Sequence, residues 1–404
     1  MSGRSGTDAG RPAAAGRLRH PLILFGAFDR HNLGDLLLAR VAGRLCSPRV
    51  SIAAGLRGRD QTASGGVVAV AMSTLDAAAD VLHVGGELLC CDAFDAAVML
   101  QRPFDAARIV ARLDRNRGAA ERWASRQLGS SRHLPYLFPP GAGLRLYAGI
   151  GGSALDRLPA PARAEAIDAM RAADGLWLRE ARTRQLLASA GVAAPLAPDP
   201  VTLVAALFGR RIVRRAAAGD LTALRRRFGR GYLALQLRGD WGDDATIDAV
   251  AEQLGRASTT TGYGVVLFCA GRAPWHDDPA LYHRLLRRRP LDAIVFDATD
   301  IWALCALIAS SVATIATSLH ARIVAEAFAR PVLSLSRGSD GTAKLEAYVD
   351  TWADDRMRGL AAPEQLADAL PEVLASSPRL RADHAAAQAY ATRSAWQALL
   401  RRLR

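Results

Sequence analysis

Residues 312–337, V-A-T-I-A-T-S-L-H-A-R-I-V-A-E-A-F-A-R-P-V-L-S-L-S-R, change hydrophobic period twice, and this narrows the fold more than any other feature of the chain. A short apolar run rich in β-branched residues stops at Thr317 and Ser318. From there Leu319, Ile323, Val324, Ala327 and Phe328 share one face of a helix, and Arg322, Glu326 and Arg330 share the opposite, polar face. Pro331 ends the helix, and 332–335 reads as the next strand. A strand, a helix and a second parallel strand call for an open α/β sheet. Ser318 falls at the capping position and His320 in the first helical turn, where unpaired N–H groups and the positive dipole end favour an anion. Ligands of such sheets lie beyond the carboxyl ends of the strands.

Other turns repeat the arrangement. Residues 22–28 form a buried strand that runs into G-A-F-D-R-H-N-L-G-D and a helix over 36–45, placing Asn32, Gly34 and Asp35 in the turn, with Asp as helix cap. No G-x-G-x-x-G occurs there, so a dinucleotide fingerprint is absent. A strand over 81–84 ends in Gly85-Gly86-Glu87, and strands near 150 and 178 end in Gly151-Gly152 and Arg179-Glu180. Each is a place where backbone or a short side chain can approach a ligand.

A chain of 404 residues exceeds one hydrophobic core. Segments 21–208 and 232–350 each alternate strands with helices, which predicts two Rossmann-like parallel-sheet domains facing a cleft. The charged stretch 209–231 reads as the linker between them, 1–20 as a disordered lead and 351–404 as C-terminal helices. The strand over 232–237 ends at Arg238.

The net charge of +13 invites a nucleic-acid partner, but of the 52 Lys and Arg residues only Lys344 is a lysine and the arginines are dispersed. That is a compositional bias, and no nucleic-acid interface is expected. The five cysteines show no C-x-x-C spacing and the His residues complete no metal set, so no metal site and reduced, cytoplasmic thiols are expected. No run reaches the roughly 18 apolar residues of a membrane span, which leaves peripheral association open. The oligomeric state is not readable.

Taken in order, N-L-G-D at 32–35, V-G-G at 84–86, G-I-G-G at 149–152, R-E-A-R-T at 179–183, P-D-P at 198–200, Arg238, and S-L-H-A with A-R-P-V at 318–332 resemble the polysaccharide pyruvyl transferase family over roughly residues 22–350. The resemblance implies a GT-B-like fold and a transferase that moves a pyruvyl group from phosphoenolpyruvate to a sugar as a ketal. It implies no cofactor, phosphoenolpyruvate being the donor substrate, and a glycan or lipid-linked sugar as acceptor. Two departures stand out. Ser318 occupies the place of the family's arginine before the Leu-His pair, and Glu87 that of a glycine in a triple-Gly turn.

On this reading His320 acts as acid or phosphate contact and Arg179 as a catalytic donor clamp. Asn32, Gly34, Asp35, Gly85, Gly86, Arg238, Ser318, Leu319 and Lys344 bind substrate, and the cations face one evident acid, Asp35. Arginine suits a donor bearing carboxylate and phosphate because its donors pair bidentately. Lys344 lies in a loop shortly after the organising stretch, and 129–143 is a candidate wall of the site. Two alternatives share the fold. One is a glycosyltransferase using a nucleotide sugar, with Asp297 or Asp300 on the ribose; the other is a non-catalytic member of a glycan assembly system.

Overall fold

The computed structural model describes residues 21–76, 78–138, 141–338 and 342–403; the expected disordered lead lies outside them. Two parallel-sheet α/β domains face each other across a cleft. The first holds β1 (Leu22–Phe25), β2 (Ser51–Gly55), β3 (Arg59–Asp60), β4 (Val68–Ala71), β5 (Val81–Val84), β6 (Arg145–Ile150) and β7 (Gly175–Leu178), in the order β3-β4-β2-β1-β5-β6-β7. Only the β3–β4 pair is antiparallel. The second holds β8 (Tyr232–Gln236), β9 (Gly264–Phe268), β10 (Ala293–Phe296), β11 (Ala313–Ala316), β12 (Val332–Leu335) and β13 (Leu360–Ala361), in the order β10-β9-β8-β11-β12-β13.

Both sheets are centred on apolar strands buried on both faces, as parallel sheets require. Leu24 of β1 is flanked by Ala53 and Leu82, and Ile315 of β11 by Leu235 and Leu333. One apolar cluster runs through both domains. Leu36 and Leu37 of the helix Leu33–Cys46 belong to it with Val201, Val204, Leu304 of Ile301–Ser310 and Ile323 of Leu319–Ala327, all fully buried. Above it the backbones meet directly: Leu33 N donates to Ala270 O at 2.7 Å and Arg272 N to His31 O at 3.1 Å.

Three local expectations change. The first helix starts at Leu33 rather than 36, because Asn32, not Asp35, caps it: the Asn32 carboxamide oxygen accepts from Gly34 N at 2.9 Å and Asp35 N at 3.1 Å. The stretch 209–231 is helical, in Val204–Ala216 and Gly219–Arg227. The first of these lays Phe208 on Trp302 of the second domain, with ring centroids 4.9 Å apart, and its many arginines mask that apolar stripe in the sequence. Arg322 is not on an open polar face. It is buried, with Nε donating to Glu326 at 2.8 Å and Nη1 to Ser334 Oγ at 3.0 Å and Gly359 O at 3.2 Å, because β12 and the chain before β13 cover that face.

The last long helix, Pro378–Leu400, returns to the first domain. Trp396 meets Trp177 edge to face at 5.7 Å, and Thr392 and Thr202 share a hydrogen bond of 2.8 Å.

Candidate active site in the interdomain cleft

The carboxyl ends of the central strands of both sheets open onto one cavity of about 300 Å³. Nine of the eleven sequence-predicted residues line it: Asn32, Asp35, Gly86, Arg179 and, from the second domain, Arg238, Ser318, Leu319, His320 and Lys344. Gly34 and Gly85 stand just behind. Gly85, at φ +56°, turns the chain where any β-carbon would strike Leu38. Asp297 and Asp300 lie elsewhere, the first paired with Arg272 and the second capping Ile301–Ser310.

The position of His320 follows from its turn. Gln236, the last residue of β8, accepts at Oε1 from Thr317 N (3.1 Å) and Ser318 N (2.8 Å), and Thr317 Oγ1 in turn accepts from Arg238 N at 2.9 Å. Ser318 Oγ caps the helix by accepting from Ala321 N at 3.3 Å. The imidazole then lies against Gly34 of the opposite domain, where a β-carbon would fall 1.9 Å from Nδ1. Nε2 is 3.5 Å from Asp199 Oδ2, close enough for charge attraction but without hydrogen-bond alignment, and it has no hydrogen-bond partner. Asp199 is fully buried. Burial raises its pKa, but His320 and Arg179 outweigh that and hold the carboxyl below the usual range.

Arg179 departs from the expected open clamp. It is 1% exposed, and its three nitrogens already meet three carboxylates: Nη2 to Glu87 at 2.6 Å, Nε to Glu180 at 3.1 Å and Nη1 to Asp199 at 3.2 Å. Glu87 is fixed further by Ser153, whose N and Oγ donate to Oε1 at 2.6 and 2.7 Å. Burial tends to raise the Glu87 pKa, but Arg179 and Lys344 hold it low; burial and the neighbouring Glu87 push Glu180 up to about 7. The fold therefore assembles acids that the sequence scatters, and the cation excess expected around one Asp35 is not what the cleft contains.

Arg238 grips Asp240 with two nitrogens at 2.9 Å each, at the partly exposed rim. Lys344 stands in the first turn of the helix Ala343–Trp352 rather than in the expected loop, and burial, then Arg238, lowers its pKa. Sequence reasoning missed several cavity residues. Arg30, beside Asn32, keeps a buried Nη1 without a hydrogen-bond partner and reaches Asp35 only at 3.4 Å. Asp277 receives Gln236 Nε2 at 2.8 Å and Ala270 N at 2.6 Å, and burial pushes its carboxyl up to about 7. His276, half-buried beside it, is pushed down to about 4 by desolvation and the Arg30 charge. Of the candidate wall 129–143, Tyr136 lines the site, its ring 5.7 Å from the Arg30 guanidinium carbon. The signal for Arg30 was its place in the strand-end turn; Asp277 and His276 lie in a loop that carried no motif. Among the described residues no group of three or more His, Cys, Asp or Glu is placed to hold a metal ion.

Two parallel-sheet domains with the site between their strand ends define a GT-B-like enzyme. Solved structures share the architecture across nearly whole chains. The UDP-N-acetylglucosamine 2-epimerase of Listeria monocytogenes, described as putative, matches at a TM-score of 0.52 with 12% identity, covering 95% of each chain. The enzyme of that name from Neisseria meningitidis matches at 0.51 with 10% identity, covering 95% of this chain and 98% of that one. The trehalose 6-phosphate synthase of Burkholderia multivorans matches at 0.50 with 16% identity, covering 96% and 98%. These likenesses show the fold alone. No curated protein matches the sequence. The model of the polysaccharide pyruvyl transferase family matches residues 19–339, most of the chain, and the protein belongs to that family of transferases. Among the described residues no helix is long and apolar enough to cross a membrane.

Proposed function

We propose that the protein transfers the pyruvyl group of phosphoenolpyruvate to two hydroxyls of a sugar in a polysaccharide or glycan precursor, forming a ketal. The observation that carries this reading is His320, held with no hydrogen-bond partner at Nε2 at a helix start inside the cleft of a pyruvyl transferase family member. In the reaction a proton is delivered to the terminal carbon of the donor, the two hydroxyl oxygens bond to its central carbon, and the bond to phosphate oxygen breaks. One hydroxyl proton is thereby balanced by the new methyl group and the other leaves with phosphate.

His320 suits proton delivery or phosphate contact, its Nε2 facing the cleft 3.5 Å from Asp199 Oδ2. Lys344 supplies a desolvated cation and Arg238 a second one that can exchange Asp240 for ligand. Arg179 serves as the residue that holds Glu87, Glu180 and Asp199 in place. Acceptor and linkage stay outside this reading.

One observation favours a different donor. Glu87 adds a fixed carboxylate to the cleft wall, which repels a small donor bearing both carboxylate and phosphate, whereas a nucleotide sugar can set its uncharged sugar there. The test is phosphate release from phosphoenolpyruvate with a pooled glycan acceptor, in wild type and His320→Ala. Release that depends on His320 is expected. No release, or release that survives the substitution, overturns the reading, and thermal stabilisation by nucleotide sugars alone transfers it to the second donor.

A further inference from the structure

Trp275 breaks two local rules at once. Its φ is +63°, a left-handed conformation that is an outlier for a bulky side chain, and 45% of it remains exposed although it lines the cleft cavity. Strain of this kind persists only where the surroundings over-determine it. They do so here. In the loop after β9, His276 N donates to Ala273 O (3.1 Å), Asp277 N to Gly271 O (3.2 Å) and Gly239 N to His276 O (2.7 Å), while the Asp277 carboxyl ties the loop to Ala270 N and Gln236. The same loop docks on His31 and Asn32 of the first domain. Several contacts thus fix a backbone whose visible product is an indole presented to the cavity, 6.3 Å from Phe94 across the cleft.

The cavity also holds unused hydrogen-bonding capacity. Arg30 Nη1 and the Tyr136 hydroxyl are buried without hydrogen-bond partners, and Tyr136 has no exposed surface. Unpaired buried donors carry a free-energy cost that a ligand can remove. An exposed aromatic face beside unsatisfied donors and acceptors matches one kind of molecule: a pyranose has an apolar C–H face and a rim of hydroxyls, each both donor and acceptor.

We propose that Trp275, Arg30 and Tyr136 form the acceptor subsite of the cleft, with one pyranose ring stacked on the indole and its hydroxyls bonded to the guanidinium and the phenol. This rests on the reading of the protein as a transferase acting on a glycan. Asp95, pushed up to about 7 by burial and by Asp92, stands nearby as a carboxyl able to donate as well as accept.

The test is saturation-transfer NMR of the full-length protein with methyl glucoside, methyl galactoside and methyl mannoside, using wild type, Trp275→Gly, Trp275→Phe and Tyr136→Phe, with thermal unfolding of each. Binding of at least one glycoside is expected, weakened about tenfold or more in Trp275→Gly and less in Trp275→Phe. Glycine suits φ +63°, so Trp275→Gly should unfold at the same temperature as wild type or higher. Lost binding in a variant at least as stable separates a ligand platform from a structural tryptophan. Absence of glycoside binding, equal binding by Trp275→Gly, or competition by uridine diphosphate that needs Trp275 overturns the proposal, the last marking a nucleobase platform. Failure of the donor reading is distinguishable: glycosides would then bind through Trp275 while phosphoenolpyruvate releases no phosphate.

Discussion

The carboxylate of Glu87 lies 2.6 Å from Arg179 Nη2 and, through Ser153, is fixed inside the cleft. Arg179 keeps Glu180 and Asp199 if Glu87 loses its charge, so Glu87→Gln removes one negative charge without orphaning the guanidinium. One charge a few ångströms from an anionic donor, at an effective dielectric near that of a protein surface, corresponds to about tenfold in affinity after screening. Phosphoenolpyruvate is expected to bind Glu87→Gln about tenfold more tightly by titration calorimetry. Unchanged affinity would place the donor away from Glu87.

Gly34 has a job that belongs to the other domain. Alanine there favours the helix by up to about 1 kcal/mol, yet its β-carbon would fall on the His320 ring. Gly34→Ala is expected to stay folded and to release phosphate about a hundredfold more slowly, matching His320→Ala. Wild-type turnover in Gly34→Ala would show that the ring can move without consequence.

Lys344, the sole lysine of the sequence, offers an assay of its own. Burial, followed by Arg238, lowers its pKa from 10.5, so more of it is free amine at any given pH below that value. Acylation of Lys344, followed by peptide mapping to exclude the chain's α-amine, should rise with pH along a curve whose midpoint lies below 10.5. Phosphoenolpyruvate should protect it, and Lys344→Met should weaken donor binding about ten- to a hundredfold. Acylation indifferent to the donor would remove Lys344 from the site.

Asp95 gives a pH dependence with a fixed sign. Its pKa is raised from 3.8 to about 7, first by burial and then by Asp92, so the folded chain holds the proton more tightly than the unfolded chain. Between those values the folded state binds more protons, and the stability this group contributes below pH 4 is lost as pH rises to about 7. Asp95→Asn should match wild type near pH 4 in chemical denaturation and exceed it above pH 7. Equal stability of the two proteins across that range would contradict the shift.

The sequence made the strand ends legible and their partnerships obscure. Asn32, Gly34, Arg238 and His320 sit where a strand's apolar run gives way to a helix, and such turns face the cleft by topology alone. Glu87, Arg179 and Asp199 fall at equally visible turns, but their ion pairs form between positions up to 92 residues apart, so their mutual neutralisation could not be read from spacing. Tyr136 and Trp275 come from loops without periodicity. Among the elements, β2, Ser-Ile-Ala-Ala-Gly, is too weakly apolar to stand out in an alanine-rich chain, and β13 is two residues long.

The apolar cluster shared by the helices Leu33–Cys46, Ile301–Ser310 and Leu319–Ala327 has a mechanical consequence. Domains joined only by a linker swing freely, and their ligands must do the work of drawing them shut. Here any swing would first have to part the helix Leu33–Cys46 from Ile301–Ser310 and Leu319–Ala327 and expose their buried apolar side chains to water. The distance from Gly34 to His320 is therefore set during folding and not by the arrival of a substrate. What remains adjustable is the rim, where the partly exposed Arg238–Asp240 pair can open and re-form, so substrates meet a fixed floor beside an exchangeable ion pair.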